Sequence, residues 1–278
     1  MARRYYSIRS GKHLNGANMP LSVLASLLYV TYRRLTEAGY VQEHFGYSCI
    51  DMGDVPGRLG EDISAALLFH LRREIPWPFP VEFVGLSEDE LFDLIEFLHD
   101  HVSKPMDGHH HTYAQCGWHY HTFDGKTGQA EYRERLNLLL EDYKDGFEIS
   151  IEGEVRELPQ PGMAPLLAAN LPSSDANVTA RVESAIAKFR RHRSSTAERR
   201  DAIRDLADVL EYVRPKLKSV LVKQDEADLF NIANNFGIRH HNAQQKSDYD
   251  NSIWLSWMFY FYLATIHAAM RMLQKTAP

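Results

Sequence analysis

The stretch Ile253-Trp-Leu-Ser-Trp-Met-Phe-Tyr-Phe-Tyr-Leu-Ala-Thr-Ile-His-Ala-Ala-Met270 decides the fold, because it is apolar on nearly every face of a helix. It is about as long as a membrane span needs to be. Ser256, Thr265 and His267 interrupt it, however, and its aromatic residues run through the middle, whereas a membrane span concentrates Trp and Tyr at its ends. We therefore expect a buried helix, at the centre of a bundle or in a dimer interface.

Upstream of this stretch, apolar residues recur at helical spacing in three further segments, after a proline-rich linker at 159–175. The first segment carries Val178, Val182, Ile186 and Phe189. The second follows a capping box, Ser195-Thr-Ala-Glu198, and carries Ile203, Leu206, Leu210 and Val213. The third runs over 225–236 and ends at Gly237. The sequence thus predicts a helical C-terminal domain, a four-helix bundle over residues 176–278.

The N-terminal half has a mixed pattern, which predicts a domain over residues 1–158. Helical periodicity is expected in four places: from Pro20 to Gly39, over 61–75, after the capping box Ser87-Glu-Asp-Glu90, and over 129–144. Residues 40–59 form a turn-rich connection, and 147–158 alternate around a Glu-Gly turn like a hairpin. Residues 116–122 alternate like a strand, which places Cys116 and Trp118 on one side and His119 on the other. The predicted fold class is α+β, mostly α.

Composition places the chain among soluble globular proteins. It has 278 residues, a net charge of −6 and only two cysteines, Cys49 and Cys116. The acidic balance argues against a broadly nucleic-acid-coating surface, and the low cysteine count favours a reducing compartment. The N-terminus has no apolar core of signal-peptide type. We expect a cytoplasmic protein with no membrane association.

A dense group of polar and imidazole side chains precedes the last long helix. Arg239, His240, His241 and Asn242 combine a fixed cation, two groups that titrate near neutral pH and an amide. Such a group could serve RNA cleavage, since attack by a 2′-hydroxyl needs a base, an acid and a cation for the phosphorane charge. The alternative is a structural network with Asp248 and Asp250.

Two quoted segments carry a family resemblance. Asn234-Asn-Phe-Gly-Ile-Arg-His-His-Asn242, with the aromatic helix after it, resembles the HEPN superfamily, which includes many ribonucleases of bacterial defence and toxin systems. Ser87-Glu-Asp-Glu-Leu-Phe-Asp-Leu-Ile-Glu-Phe97 and Cys116-Gly-Trp-His-Tyr-His-Thr-Phe-Asp124 resemble the accessory domain that abortive-infection proteins of the AbiJ type place before a HEPN domain.

The resemblance implies a metal-independent endoribonuclease of an anti-phage or toxin system, with RNA as its partner and no cofactor. Its catalytic residues would be Arg239, His240, His241 and Asn242, and Asn235 would contact RNA. Where the family signature has a histidine, this chain has Gln244, Gln245 and Lys246. Catalysis would therefore use a compressed variant of the motif, and the alternative, which the missing histidine favours, is a non-catalytic RNA-binding or sensor protein.

Dimerisation is expected through the C-terminal domain. Trp254, Trp257 and Phe261 offer more apolar surface than one small bundle buries. The resemblance implies the same, because a homodimer would bring two copies of the polar group together.

Two further clusters have chemical interest. Arg190, Arg191 and Arg193 are candidate phosphate contacts, although helices commonly end in basic residues. The histidine-rich segment holds imidazole and thiol groups that zinc prefers as ligands: His109, His110, His111, Cys116, His119 and His121. It has no Cys-x-x-Cys pair, so a core or loop role is favoured and no metal ligand is assigned. A metal-dependent hydrolase built on this segment is the remaining alternative.

Overall fold

A computed structural model describes residues 19–218 and 250–276, together with Tyr6 and Ser10. The chain divides into two compact units, Met1–Leu158 and Pro159–Pro278. Helices dominate both units, and the strands form small two-stranded sheets, which confirms the predicted α+β, mostly α class.

The first unit alternates helices with hairpins. Its helices are α1 (Leu21–Glu37), α2 (Gln42–Phe45), α3 (Ile63–Leu71), α4 (Glu88–Asp100) and α5 (Gly125–Leu140). Its three antiparallel hairpins are β1 (Tyr47–Cys49) with β2 (Gly53–Val55), β3 (Lys104–His111) with β4 (Gly117–Asp124), and β5 (Phe147–Ile149) with β6 (Val155–Glu157).

The core of this unit lies between α1, α4 and α5. The predicted stripe of α4 is buried in full, and it begins at the expected capping box, where the Glu90 amide donates to Ser87 Oγ at 3.3 Å. Tyr132 of α5 is fully buried and its hydroxyl donates to the carbonyl of Ile95 at 3.1 Å. Helix spacing and capping thus decide where these helices begin and which face they bury.

The strands depart from the expectation in two places. Residues 40–59, expected as a turn-rich connection, contain the short hairpin β1–β2, and β3 precedes the expected strand as its antiparallel partner. Only three residues of each strand pair in β1–β2, too few for alternation to be visible in the sequence. The hairpin predicted at 147–158 is present as β5–β6.

Burial differs sharply among these hairpins. In β5–β6, Phe147, Ile149 and Val155 are buried in the apolar core. In β1 to β4, all of them described, the buried residues are Cys49 and His119 alone. These four strands therefore bury much less apolar surface than β5–β6 does.

The second unit contains α6 (Ala164–Ala168), α7 (Ala176–Arg190), α8 (Thr196–Leu217) and α9 (Asn251–Thr276). α8 contacts both α7 and α9. In the core of this unit the rings of Phe189 and Phe259 stack, with their centroids 3.9 Å apart. The capping box at Ser195 is present, and α8 continues through Pro215 to its last turn. The helix predicted over 225–236 lies outside the described residues.

Two expectations for this unit can be compared with the structure. The segment 159–175, expected as a linker, contains α6, and its Met163, Leu166 and Leu167 pack against the core. α9 is long and apolar enough to span a membrane, but 61% of the residues in its most apolar 18-residue stretch are buried. It is the core helix that the sequence predicts, and this burial is consistent with a soluble protein.

Candidate metal centre

Four side chains from the two N-terminal hairpins point their donor atoms at one another. Cys49 is the last residue of β1, His111 the last of β3, and His119 lies in β4. Cys116 lies in the turn between β3 and β4. One ligand atom from each residue lies within 4.8 Å of all the others. Two thiols and two imidazoles therefore meet at one point.

Two of the donor–donor distances are close to those of a tetrahedral metal site. A Zn²⁺ ion with Zn–S near 2.3 Å and Zn–N near 2.0–2.1 Å separates its ligand atoms by about 3.3–3.8 Å. Cys116 Sγ lies 3.2 Å from His119 Nε2, and Cys49 Sγ lies 3.7 Å from His111 Nδ1. The widest separation requires closure by about 1 Å or less to reach coordination distances.

The turn between β3 and β4 presents Cys116 to this point. Ala114 and Gln115 have φ values of 50° and 58°, and Gly117 has a φ of 99°. The last value lies in a region that residues with a Cβ rarely adopt, so glycine is required there. The sequence alternation places Cys116 on the side of Trp118, opposite His119. That placement is wrong. Cys116 precedes β4, which begins at Gly117, and the turn brings the Cys116 thiol to the same side as His119.

His119 is held in place by its neighbours. Its side chain is buried, and the ring of Tyr47 stacks on it with a centroid distance of 4.4 Å. Burial lowers the pKa of His119, and the imidazoles of His109, His111 and His121 lower it further. The neutral imidazole is the form that binds a metal.

His111 is oriented from its far side. Its Nε2 lies 3.2 Å from Asp51 Oδ2, while its Nδ1 faces Cys49. Metal-binding histidines commonly donate the proton of their second ring nitrogen to a carboxylate, which fixes the tautomer and the ring plane. Asp51 has the position that such a supporting carboxylate needs.

The hairpin itself is tied to the helical core by a glutamine. Gln42 of α2 donates to the carbonyl of Trp118 at 2.9 Å and accepts from the amide of Tyr120 at 3.1 Å. The Tyr120 ring lies so close to Gly39 that a Cβ there would come within 2.4 Å of it. These contacts fix β4, and with it His119, relative to α1 and α2.

The remaining histidines of the segment lie outside this group. His109 Nδ1 and His121 Nε2 are 2.8 Å apart, and their rings stack. His110 lies against Trp118, with ring centroids 5.4 Å apart. Of the six candidates from the sequence, the structure brings together His111, Cys116 and His119, and it adds Cys49, which sequence reasoning left out.

The candidate ribonuclease residues cannot be compared with this geometry. Asn235, Arg239, His240, His241 and Asn242 lie outside the described residues.

The candidate phosphate contacts are described, at the end of α7. Arg190 is buried with 6% of its surface exposed, whereas Arg191 and Arg193 are exposed. Only the latter two of this cluster present their surface to solvent.

Comparisons with known proteins identify no relative. No protein-family model, no curated protein and no solved structure matches the chain.

Proposed function

We propose that the chain is a zinc-binding protein whose N-terminal unit is held together by a structural Zn²⁺ on Cys49, His111, Cys116 and His119. The observation that carries this proposal is the convergence of both cysteines of the chain with two histidines within 4.8 Å. Thiolate and imidazole are the ligands that zinc prefers, whereas magnesium and calcium prefer oxygen ligands.

The ligand set favours a structural role over a catalytic one. Structural zinc sites fill all four positions with protein ligands, whereas catalytic sites keep one position for water or substrate. The hairpins β1–β2 and β3–β4 also bury few residues fully, so the ion would add a direct link between them. A reducing, cytoplasmic location, which we propose as well, would keep both thiols free to bind it.

Metal content of the purified protein tests this proposal. We expect one Zn²⁺ per chain by elemental analysis, and less than a tenth of that in Cys49→Ser, which replaces a thiolate by a hydroxyl. His110→Ala is the control, because His110 directly precedes the proposed ligand His111 on β3 but faces Trp118. Zinc-free wild-type protein, or equal zinc in wild type and Cys49→Ser, would overturn the proposal.

For the C-terminal unit we propose a metal-independent endoribonuclease, acting as a homodimer on RNA, with Arg239 and His240 or His241 as its chemical groups. The support is the HEPN-like segment 234–242, which precedes α9 in the chain, and the helical character of the unit. Arg191 and Arg193 are exposed just after α7, and basic side chains of this kind commonly contact phosphates.

Cleavage of RNA without added metal ions tests this second proposal. Arg239→Ala should lower the rate about a hundredfold or more, since one preorganised donor to the phosphorane charge contributes about 3–4 kcal/mol. Arg239→Lys should not restore it, because a point charge lacks the planar fork. Cys49→Ser is the companion control. Cleavage retained in Cys49→Ser would show that RNA cleavage does not need the zinc site. Cleavage at the wild-type rate in folded Arg239→Ala would instead favour a non-catalytic RNA-binding protein.

A further inference from the structure

A cavity of about 610 Å³ opens beside the metal centre in the first unit. Its walls come from α1, α2, β1, β2, the start of α3 and the segment around Trp77. It shares Tyr47 and Ser48 with β1, but none of the four proposed zinc ligands lines it. Its volume lies within the range of about 300–1,000 Å³ typical of small-molecule sites.

Aromatic rings form much of its wall. Tyr32, Phe45, Tyr47 and Trp77 all line the cavity. Phe45 and Trp77 stack with centroids 5.3 Å apart. Tyr47 is fixed by its stacking on His119 at 4.4 Å. The rings of Tyr32, Phe45 and Trp77 also pack on Phe79, which does not line the cavity, so these rings are held in position without a ligand.

The charged groups at the cavity all have one sign. Asp54 and Glu61 line it, and its described lining residues include no lysine, arginine or histidine. Within the described part of the chain neither carboxylate forms an ion pair, while nearby Arg58 is bound to Glu43 at 2.8 Å. Two carboxylates without a fixed counter-ion repel anions and attract cations.

Aromatic faces and carboxylates together select one ligand chemistry. The face of an aromatic ring carries negative charge density that attracts a cation, and alkylated ammonium groups are recognised in this way. An anion would meet like charges, and a neutral apolar ligand would gain nothing from Asp54 and Glu61. We propose that this cavity binds a small, soluble organic ammonium compound, with its alkylated nitrogen against Tyr47 and Trp77 and its charge balanced by the two carboxylates.

Choline and its neutral analogue 3,3-dimethyl-1-butanol, which replaces the quaternary nitrogen by carbon, test the proposal on the full-length protein. We expect choline to bind at millimolar or lower concentration by calorimetry and to shift the Trp77 indole resonance, and the neutral analogue to bind at least about tenfold more weakly. The double variant Asp54→Asn/Glu61→Gln should lose about tenfold in choline affinity without a change for the analogue.

The controls separate binding from folding. Asp54 and Glu61 are both exposed, so the double variant should fold normally and keep its zinc. Glu37→Gln removes an exposed carboxylate on α1 that pairs with Arg33, away from the cavity lining, and should leave choline binding unchanged. Equal affinity for choline and its neutral analogue, no binding of either, or unchanged binding in the double variant would each overturn the proposal.

Discussion

The bundle of α7, α8 and α9 and the hairpins β1–β2 and β3–β4 become part of the fold by different means. In the bundle, helices bury long apolar stripes against one another, including Leu206, Leu210, Phe259 and Leu263. In the four strands, burial is confined to Cys49 and His119. The difference teaches that hydrophobic burial holds one region, whereas the other depends on polar contacts such as those of Gln42 and on the convergence of four potential metal ligands.

Elementary energetics supports this division. An isolated two-stranded hairpin is marginally stable in water, and β1 and β2 have three residues each. A structural zinc can contribute folding free energy directly, because the ligand set does not exist in the unfolded chain. We therefore expect the hairpins to depend on the metal and the bundle to be independent of it.

The largest effect should follow removal of one zinc ligand. Apparent zinc-binding free energies are about 10–16 kcal/mol in small zinc peptides, so Cys116→Ser should release the ion and loosen β1 to β4. Hydrogen–deuterium exchange should show faster exchange in these strands and unchanged protection in α8 and α9. Equal protection of the strands with and without zinc would remove the distinction between the two regions.

A core substitution in the bundle should lower the free energy of unfolding but leave zinc binding unchanged. Leu263 is fully buried, and Leu263→Ala should destabilise the protein by about 2–5 kcal/mol through lost burial and a residual cavity. Denaturant unfolding measures this cost, and the zinc content of the folded protein should stay at one per chain. Loss of zinc in folded Leu263→Ala would mean that the two regions are coupled.

A smaller effect is expected at the carboxylate that supports His111. Removal of such a partner commonly lowers metal affinity by about 10–100-fold, and Asp51 is largely exposed, so Asp51→Ala should lie near tenfold. Competition with a zinc-binding dye measures the affinity. Asp107→Ala is the control and should bind zinc like the wild type, because Asp107 is exposed on β3 and its carboxylate accepts from the amide of Gly108.

The smallest effects should be the same in both units. Ser87→Ala and Ser195→Ala each remove the side chain of a capping box and should each cost about 1 kcal/mol in unfolding free energy. Zinc content should not change in either variant. A much larger cost at Ser87 than at Ser195 would show that the first unit depends on its helix ends in a way that the second does not.

These two regions also differ in how far the sequence predicts them. The capping boxes at Ser87 and Ser195 and the buried stripes after them depend on residues three or four apart, so local patterns suffice. The same holds for α9, whose burial follows from its composition. The helix expected over 225–236 and the polar group from Arg239 to Asn242 lie outside the described residues and stay predictions.

The metal centre is not predictable in this way. Cys49 and His111 are 62 positions apart and meet only when β1 and β3 are both in place. The alternating pattern of the strand placed Cys116 on the side opposite His119. That was wrong, because the φ of 99° at Gly117 interrupts the strand between the two residues. The one signal in the sequence was that Cys116, one of its two cysteines, lies within a histidine-rich segment.

The central claim is that two thiolates and two imidazoles hold a zinc ion that joins the N-terminal hairpins. X-ray absorption at the zinc edge of the purified protein tests it most directly. We predict two sulfur ligands at about 2.3 Å and two nitrogen ligands at about 2.0–2.1 Å. A spectrum with only nitrogen and oxygen ligands, or a protein without zinc, would contradict the account.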